Sequence, residues 1–210
     1  MVLIDKFLSL ILSFYEGYFL KNCEFAIVSN NCWGYKIYQS TKKQYNTPFV
    51  GLFLYPECYL KVCADLERYL SIPLCKINYN STYIQDETSY PVGHIGDVEI
   101  HFLHYHNPDE CVDKWNKRSK RLLKHIKLKN RVLFQFNDRD FATKEQLKQF
   151  HELLIDKSRV SFGREYIDSS NHFKVKKEDL DGNKVVDGVR LYDSRYRYIS
   201  LVKILKRSES

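Results

Sequence analysis

Short apolar runs that alternate with stretches of helical spacing constrain this chain more than any other feature. Residues 25–28, 48–54, 74–77, 98–105 and 132–136 read as buried strands. Between them, apolar spacing predicts helices over 35–43, from Pro56 to about Leu70, from the Asn107 cap and Pro108 past Ile126, and from the Thr143 cap through Ile155. Such alternation predicts an α/β fold built on a mainly parallel, Rossmann-like sheet with helices on both faces. The first 22 residues read as an amphipathic helix. Leu3/Ile4, Phe7/Leu8, Ile11, Phe14/Tyr15 and Tyr18/Phe19 recur at helical spacing, and that stripe is expected to pack on the core. Residues 23–158 form the expected core and 159–210 an irregular, partly β C-terminal addition, all within one domain.

At 210 residues the chain is long enough for one sizeable core. The cysteines are scattered, with no C-x-x-C pair and no zinc spacing, so they read as reduced thiols and the expected compartment is the cytoplasm. The apolar stretch 7–15 is far short of the ~20 residues a membrane span needs, and no small-residue cleavage site follows it. A minority reading lays this helix on the inner face of a membrane as a peripheral contact. The net charge of +7 is concentrated in 114–131, which holds Lys and Arg with no acid between them. One face therefore meets an anionic partner. No nucleic-acid-binding motif accompanies the charge, so nucleic acid is not an expected partner. The chain has no phosphate-binding Gly motif, and its sequence names no cofactor and no metal.

In an open α/β sheet ligands gather at the C-terminal ends of the strands. Three polar clusters fall at expected strand ends: 29–34, 101–106 and 137–140. Cys32 sits where a strand passes into a helix, a place that lowers a thiol pKa. Asn30 and Asn31 cap that helix or touch substrate, and Gly34 permits close approach to the backbone. His101 or His104 is the candidate base, with Asp97 or Asp138 to orient its ring. Arg118 and Arg121 fit a phosphate or carboxylate. Asn137, Asp138, Arg139 and Asp140 complete the candidate substrate-binding set. The bland alternatives are inert buried thiols, core histidines, a solvated basic face and a salt-bridged turn.

The same clusters carry a family resemblance. Ser29-Asn30-Asn31-Cys32-Trp33-Gly34, Pro48-Phe49-Val50-Gly51-Leu52, the stretch from Asp97 to Tyr105, Lys114-Trp115-Asn116 with Arg118 and Arg121, and Phe136-Asn137-Asp138-Arg139-Asp140 occur in this order. Over about residues 23–165 they resemble the bacterial domain-of-unknown-function family 1919. Where that family usually has a second Gly after Trp-Gly, this chain has Tyr35. Its members are commonly labelled exopolysaccharide biosynthesis proteins, which implies a role in cell-surface polysaccharide assembly. A fainter likeness links the layout to a second uncharacterised family described as papain-like, and implies a Cys32–His pair.

Together these features lead to a transferase acting on a sugar or glycan-lipid with an activated donor. In the first version Cys32 is the nucleophile of an acyl-type transfer, His104 or His101 the base, and amides near Trp33 and Gly34 the oxyanion donors. The alternative is a glycosyltransferase in which Arg118 and Arg121 hold the diphosphate of a nucleotide sugar, and Asp138 or Asp140 binds a divalent metal or acts as base. A third version is a non-catalytic partner that binds a glycan or a lipid phosphate. A single parallel edge is expected to bring Cys32, one of the two histidines, and Asp138 or Arg139 into one pocket. Trp33 would line its wall and Arg118 or Arg121 its rim. Direct activation asks for sulfur and imidazole nitrogen within ~4 Å.

Overall fold

The computed structural model describes residues 2–139 and 142–206, with side chains from Ile4 onward. From the N-terminus the elements are α1 (Val2–Leu20), β1 (Phe25–Ser29), α2 (Tyr35–Ser40), α3 (Pro56–Ala64) and α4 (Leu66–Ser71). Then come β2 (Ile77–Asn78), β3 (Val92–Ile95), β4 (Val98–His101), α5 (Pro108–Lys127), β5 (Arg131–Asn137) and α6 (Lys144–Leu153). The chain closes through β6 (Ser158–Gly163), β7 (His172–Lys174), β8 (Leu180–Asp181), β9 (Lys184–Val185), α7 (Gly188–Asp193) and α8 (Leu201–Lys206).

The main sheet is β1-β5-β6-β7, parallel throughout. Side chains alternate across a pleated strand. Ala26, Val28, Phe134 and Phe136 therefore face one way, onto Tyr59 of α3, Trp115 and Leu122 of α5, and Phe150 of α6. Phe25, Ile27, Leu133, Val160 and Phe162 face the other way, onto Ile37 of α2, Leu191 and Tyr192 of α7 and Leu201 of α8. Helices thus cover both faces, as the alternation of strands and helices requires. The outer edge of β1 is closed by side chains. Tyr38 Oη accepts from Ile27 N (3.0 Å), and Asn46 Nδ2 donates to Phe25 O (2.8 Å). Such plugs deny an edge strand to a foreign partner.

Three strand expectations are corrected. Residues 48–54 form only an isolated antiparallel bridge at Phe53, because Gly51 turns the backbone at φ 77°. Residues 74–77 contribute only the start of β2. Residues 98–105 enter no parallel sheet. The run stops at His101, and β4 pairs back on β3 through the two-residue turn Gly96-Asp97, with Gly96 at φ 59°. The small antiparallel sheet β2-β3-β4 results. The C-terminal β addition is the hairpin β8–β9, and it begins later than expected, since β6 and β7 belong to the main sheet.

The helix starts follow their caps. Asn107 Oδ1 accepts from Glu110 N at 2.9 Å, and Thr143 forms a capping box with Gln146. The orientation expected of α1 is reversed. Its buried residues are Ser9, Glu16 and Leu20, and its apolar stripe faces out. No helix among the described residues is long and apolar enough to cross a membrane.

Candidate functional site

The parallel sheet brings two of the three polar clusters together. At the ends of β1 and β5 the Asn30 amide pairs with the Asn137 backbone, Oδ1 accepting from N (3.1 Å) and Nδ2 donating to O (3.0 Å). A side-chain amide has the same donor and acceptor pair as a peptide. Asn30 thus extends the parallel ladder by one rung, and its role is to hold the edge. Asn31 Oδ1 accepts from Trp33 N (3.1 Å) and caps the single 3₁₀ turn Cys32–Gly34. Asn137 Oδ1 accepts from Arg139 N (3.2 Å), and Arg139 Nη1 donates to Val185 O (2.8 Å), tying the C-terminal hairpin over the sheet edge. Asn31 Nδ2, Asn137 Nδ2 and Asp138 Oδ1 are buried with no hydrogen-bond partner among the described residues. Groups so placed are costly unless a polar atom meets them.

Cys32 is buried, and its Sγ donates to Leu52 O at 3.7 Å. Burial pushes the thiol up to about 11, and the nearby Asp187 carboxylate adds to the rise against the backbone of Gly51 and Leu52. The expected lowering fails because the helix that Cys32 opens is one 3₁₀ turn and the six residues of α2, too little dipole to offset desolvation. Trp33 N is already given to Asn31, so it is no oxyanion donor. Trp33 itself is a core residue between Phe162 and Tyr192. Gly34 serves packing, since a Cβ there would meet Ile27 Cγ2 at 2.7 Å.

His101 lies elsewhere than expected. His101 is buried in the antiparallel sheet, stacked on Phe53 at 4.3 Å and flanked by Tyr55 and Tyr90. Its Nε2 lies 2.8 Å from Glu99 Oε1, a close but poorly aligned polar contact. Burial drives its pKa down to about 4 despite Glu99. The groups that set the ionisation of Cys32 include no imidazole. A proton passed from a thiol near 11 to an imidazole near 4 climbs by on the order of 10 kcal/mol. His104 is exposed, and its backbone N donates to Gly51 O at 3.0 Å.

Asp97 orients neither ring. It sits at the tip of the β3–β4 hairpin, held by Lys61 (2.7 Å) and Tyr69 (2.8 Å), and these bonds bring it to about 2. His101 is four residues down the strand, roughly 13 Å away at the usual rise. Asp138 is buried. Its Oδ2 accepts from Arg164 N (2.8 Å) and Nε (3.1 Å), and burial raises its pKa against those bonds. With its carboxylate engaged by a cation, Asp138 is a poor seat for a divalent metal. Among the described residues no group of three or more His, Cys, Asp or Glu is placed to hold one. Asp140 lies outside the described residues.

What surrounds Cys32 instead is a set of half-buried polar groups, most of which the sequence reading missed. Asp187 influences both the Cys32 thiol and the Tyr35 hydroxyl. Tyr105 donates to Val50 O (2.7 Å) and accepts from Arg118 Nη1 (2.9 Å). The Arg118 guanidinium also lies 5.0 Å from the Tyr45 ring, whose backbone O takes Arg121 Nη1 at 2.9 Å. Arg118 and Arg121 thus stand on the same side of α5, as expected, and no carboxylate among the described residues lies within 4 Å of either. Asp187 was legible as a cap, because Asp187-Gly188 follows the buried pair Val185-Val186. A cavity of about 660 Å³ opens at the opposite edge of the sheet near Asp65, Lys129, Arg131 and Lys157, and contains none of the expected site residues.

A second polar cluster also escaped the sequence reading. His172 Nε2 donates to Glu165 O (2.8 Å), which leaves its Nδ1 to accept from Ser161 Oγ (2.8 Å). Ser161 Oγ in turn accepts from His151 Nε2 (2.7 Å), and His151 Nδ1 accepts from Arg159 Nε (3.1 Å) and Ser169 Oγ (2.7 Å). One donor direction satisfies every member, so this is a structural chain through the buried sheet.

An α/β fold with its polar groups gathered at the C-terminal edge of a parallel sheet defines the class. The chain belongs to the family described as Domain of unknown function (DUF1919), whose model matches residues 4–206. That match reaches beyond the 23–165 carrying the sequence resemblance, and it takes in Asp187 and Gly188. An uncharacterized protein of Haemophilus influenzae is 36% identical over 143 residues, 68% of this chain and 63% of that protein. The matched stretch therefore spans less than two thirds of this curated relative.

Gly188 makes the C-terminal segment part of the site. A Cβ there would lie 2.4 Å from Asn31 Oδ1 and 2.7 Å from Trp33 N, neither of which can yield without breaking the cap. Gly188→Ala is expected to destabilise the protein by about 1–3 kcal/mol. Equilibrium urea unfolding measures it, and a wild-type midpoint in the variant would contradict the tight fit.

Proposed function

We propose that this protein is a transferase of cell-surface polysaccharide assembly that binds a sugar donor through a phosphate or diphosphate at Arg118 and Arg121. The observation that carries the reading is the pair of half-buried arginines with no acid partner among the described residues, one braced by the Tyr105 hydroxyl and the Tyr45 ring. A guanidinium fork suits phosphate oxygens, and partial burial strengthens the attraction. Tyr35 and Asp187 stand beside this place, and Asp187 Oδ1 already caps α7 by accepting from Val189 N and Arg190 N. Its other oxygen suits the role of hydrogen-bond acceptor or base toward a sugar hydroxyl.

Acyl transfer through Cys32 draws less support, because burial holds the thiol protonated and its Sγ hydrogen is given to Leu52 O. The family's association with exopolysaccharide synthesis supplies the biological setting. Thermal shift with a panel of nucleotide sugars tests the donor. One nucleotide sugar should raise the midpoint, and Arg118→Ala should weaken its binding by roughly tenfold or more, the value of one charge-assisted hydrogen bond. Cys32→Ala should keep both binding and turnover. Stabilisation by acyl donors alone, with turnover abolished in Cys32→Ala, would reverse the ranking.

A further inference from the structure

Helix α1 is inside out. Its inward face is polar: Ser9 and Ser13 accept from Arg195, and Glu16 pairs with the same guanidinium at 2.7 Å. Its outward face is apolar, with Phe7 63% exposed, Phe14 73% and Tyr18 68%. At 100° per residue, the exposed apolar positions run from Leu10 on one flank, through Phe14, Tyr18 and Ile4, to Phe19 on the other, and fill roughly half the circumference. We propose that this face lays α1 flat on an anionic membrane surface, as a peripheral anchor independent of the donor site.

The width of the arc selects the occupant. A partner helix covers only a narrow a/d seam, whereas a helix sunk to its midline in the headgroup region buries half its circumference. The charge around the rim points the same way. Lys21 Nζ lies 5.3 Å from the Tyr18 ring and Lys206 Nζ 5.0 Å from the Phe19 ring, so both cations ride at the border of the apolar face. Lys6 and Lys203 are exposed nearby, and none of the four has a carboxylate within 4 Å among the described residues. The acids of α1 are neutralised from within, Asp5 by Arg197 at 2.5 Å and Glu16 by Arg195. Among the described residues the rim thus presents positive charge alone. Lysines extending from an apolar face to phosphate, with tyrosines at the boundary, match the chemistry of an anionic headgroup layer.

Flotation of the full chain with phosphatidylglycerol-containing vesicles and with pure phosphatidylcholine vesicles tests the proposal. The chain should float with the anionic vesicles only, and high salt should release it. Phe7→Ser with Phe14→Ser should lower partitioning by roughly tenfold or more, at an unchanged thermal midpoint because both rings are exposed. Lys21→Glu with Lys206→Glu should do the same. Three outcomes overturn the proposal: no flotation, equal flotation on neutral vesicles, or a solution dimer that the double serine variant dissolves without any vesicle binding.

Discussion

Acidification from pH 7 to pH 4 is expected to remove on the order of 6 kcal/mol of stability through two buried histidines, His101 and His151. Burial lowers each to about 4, while an unfolded chain titrates them near 6.5. Between those values the unfolded chain carries protons that the folded one refuses, so stability rises with pH throughout the window. The contribution is complete above about pH 6.5 and is lost as pH falls toward 4. His172, also lowered by burial, acts in the same direction. Glu16 and Asp138 are raised by burial and offset part of the loss, because the folded chain protonates them first. The loss is large beside a typical total of about 5–15 kcal/mol, so the urea midpoint should fall steeply between about pH 6.5 and pH 4. Urea unfolding at half-unit pH steps gives the slope. His101→Phe, which fits the ring stack of Phe53, Tyr55 and Tyr90, should reduce that slope by up to about 1.4 kcal/mol per pH unit. A slope unchanged in His101→Phe would mean that this ring is charged in the folded protein.

Both histidines owe their neutrality to positions that the sequence only half revealed. Strands β1 and β5 were legible because short runs of four or five mostly apolar residues, bounded by polar clusters, have no better use than a buried parallel strand. Helices α5 and α6 were legible from Asn107, Pro108 and Thr143, since capping chemistry is local. The apolar run 98–105 by itself does not place the His-bearing strand; the Gly96-Asp97 pair just before it, between two apolar runs, is a hairpin signal. That one turn moves His101 into a separate antiparallel sheet and Asp97 to its tip, and with it goes the pairing of Cys32 with His101. The clusters at Asn30 and Asn137 do end neighbouring strands, as their place after apolar runs implies, yet what stands near Cys32 comes from afar in sequence: Asp187, and Tyr105 with its partner Arg118. Arg118 was identified from its chemistry. Asp187 depended on the C-terminal segment folding back over the sheet, which no local pattern dictates.

The orientation of α1 was illegible for a different reason. Periodicity shows that a helix has an apolar side, and says nothing of which way that side points. The deciding residue lies 179 positions away, at Arg195. Its Nε and Nη2 donate to the two oxygens of Glu16 (3.2 and 2.7 Å), Nη2 also to Ser13 (3.2 Å), and Nη1 to Ser9 and Tyr192 O (2.9 and 2.8 Å). All five N–H groups of the guanidinium are thereby used. Glu16→Ala would leave that charge buried and unpaired, so a cost of about 3–5 kcal/mol is expected. Replacing the pair together, Glu16→Leu with Arg195→Met, should recover most of the loss, because apolar side chains need no partners there. Denaturant midpoints of the two single variants and the double variant form the measurement. Should Glu16→Ala lose less than about 1 kcal/mol, the ion pair is solvated in solution and α1 is not locked by it. In the double variant α1 keeps the polar contacts of Ser9 with Asp193 (3.0 Å) and of Asp5 with Arg197 and Tyr196 (2.5 and 2.9 Å). These lie toward the N-terminal half of the helix, so hydrogen exchange of the α1 amides should rise first around position 16, where the buried ion pair has been removed.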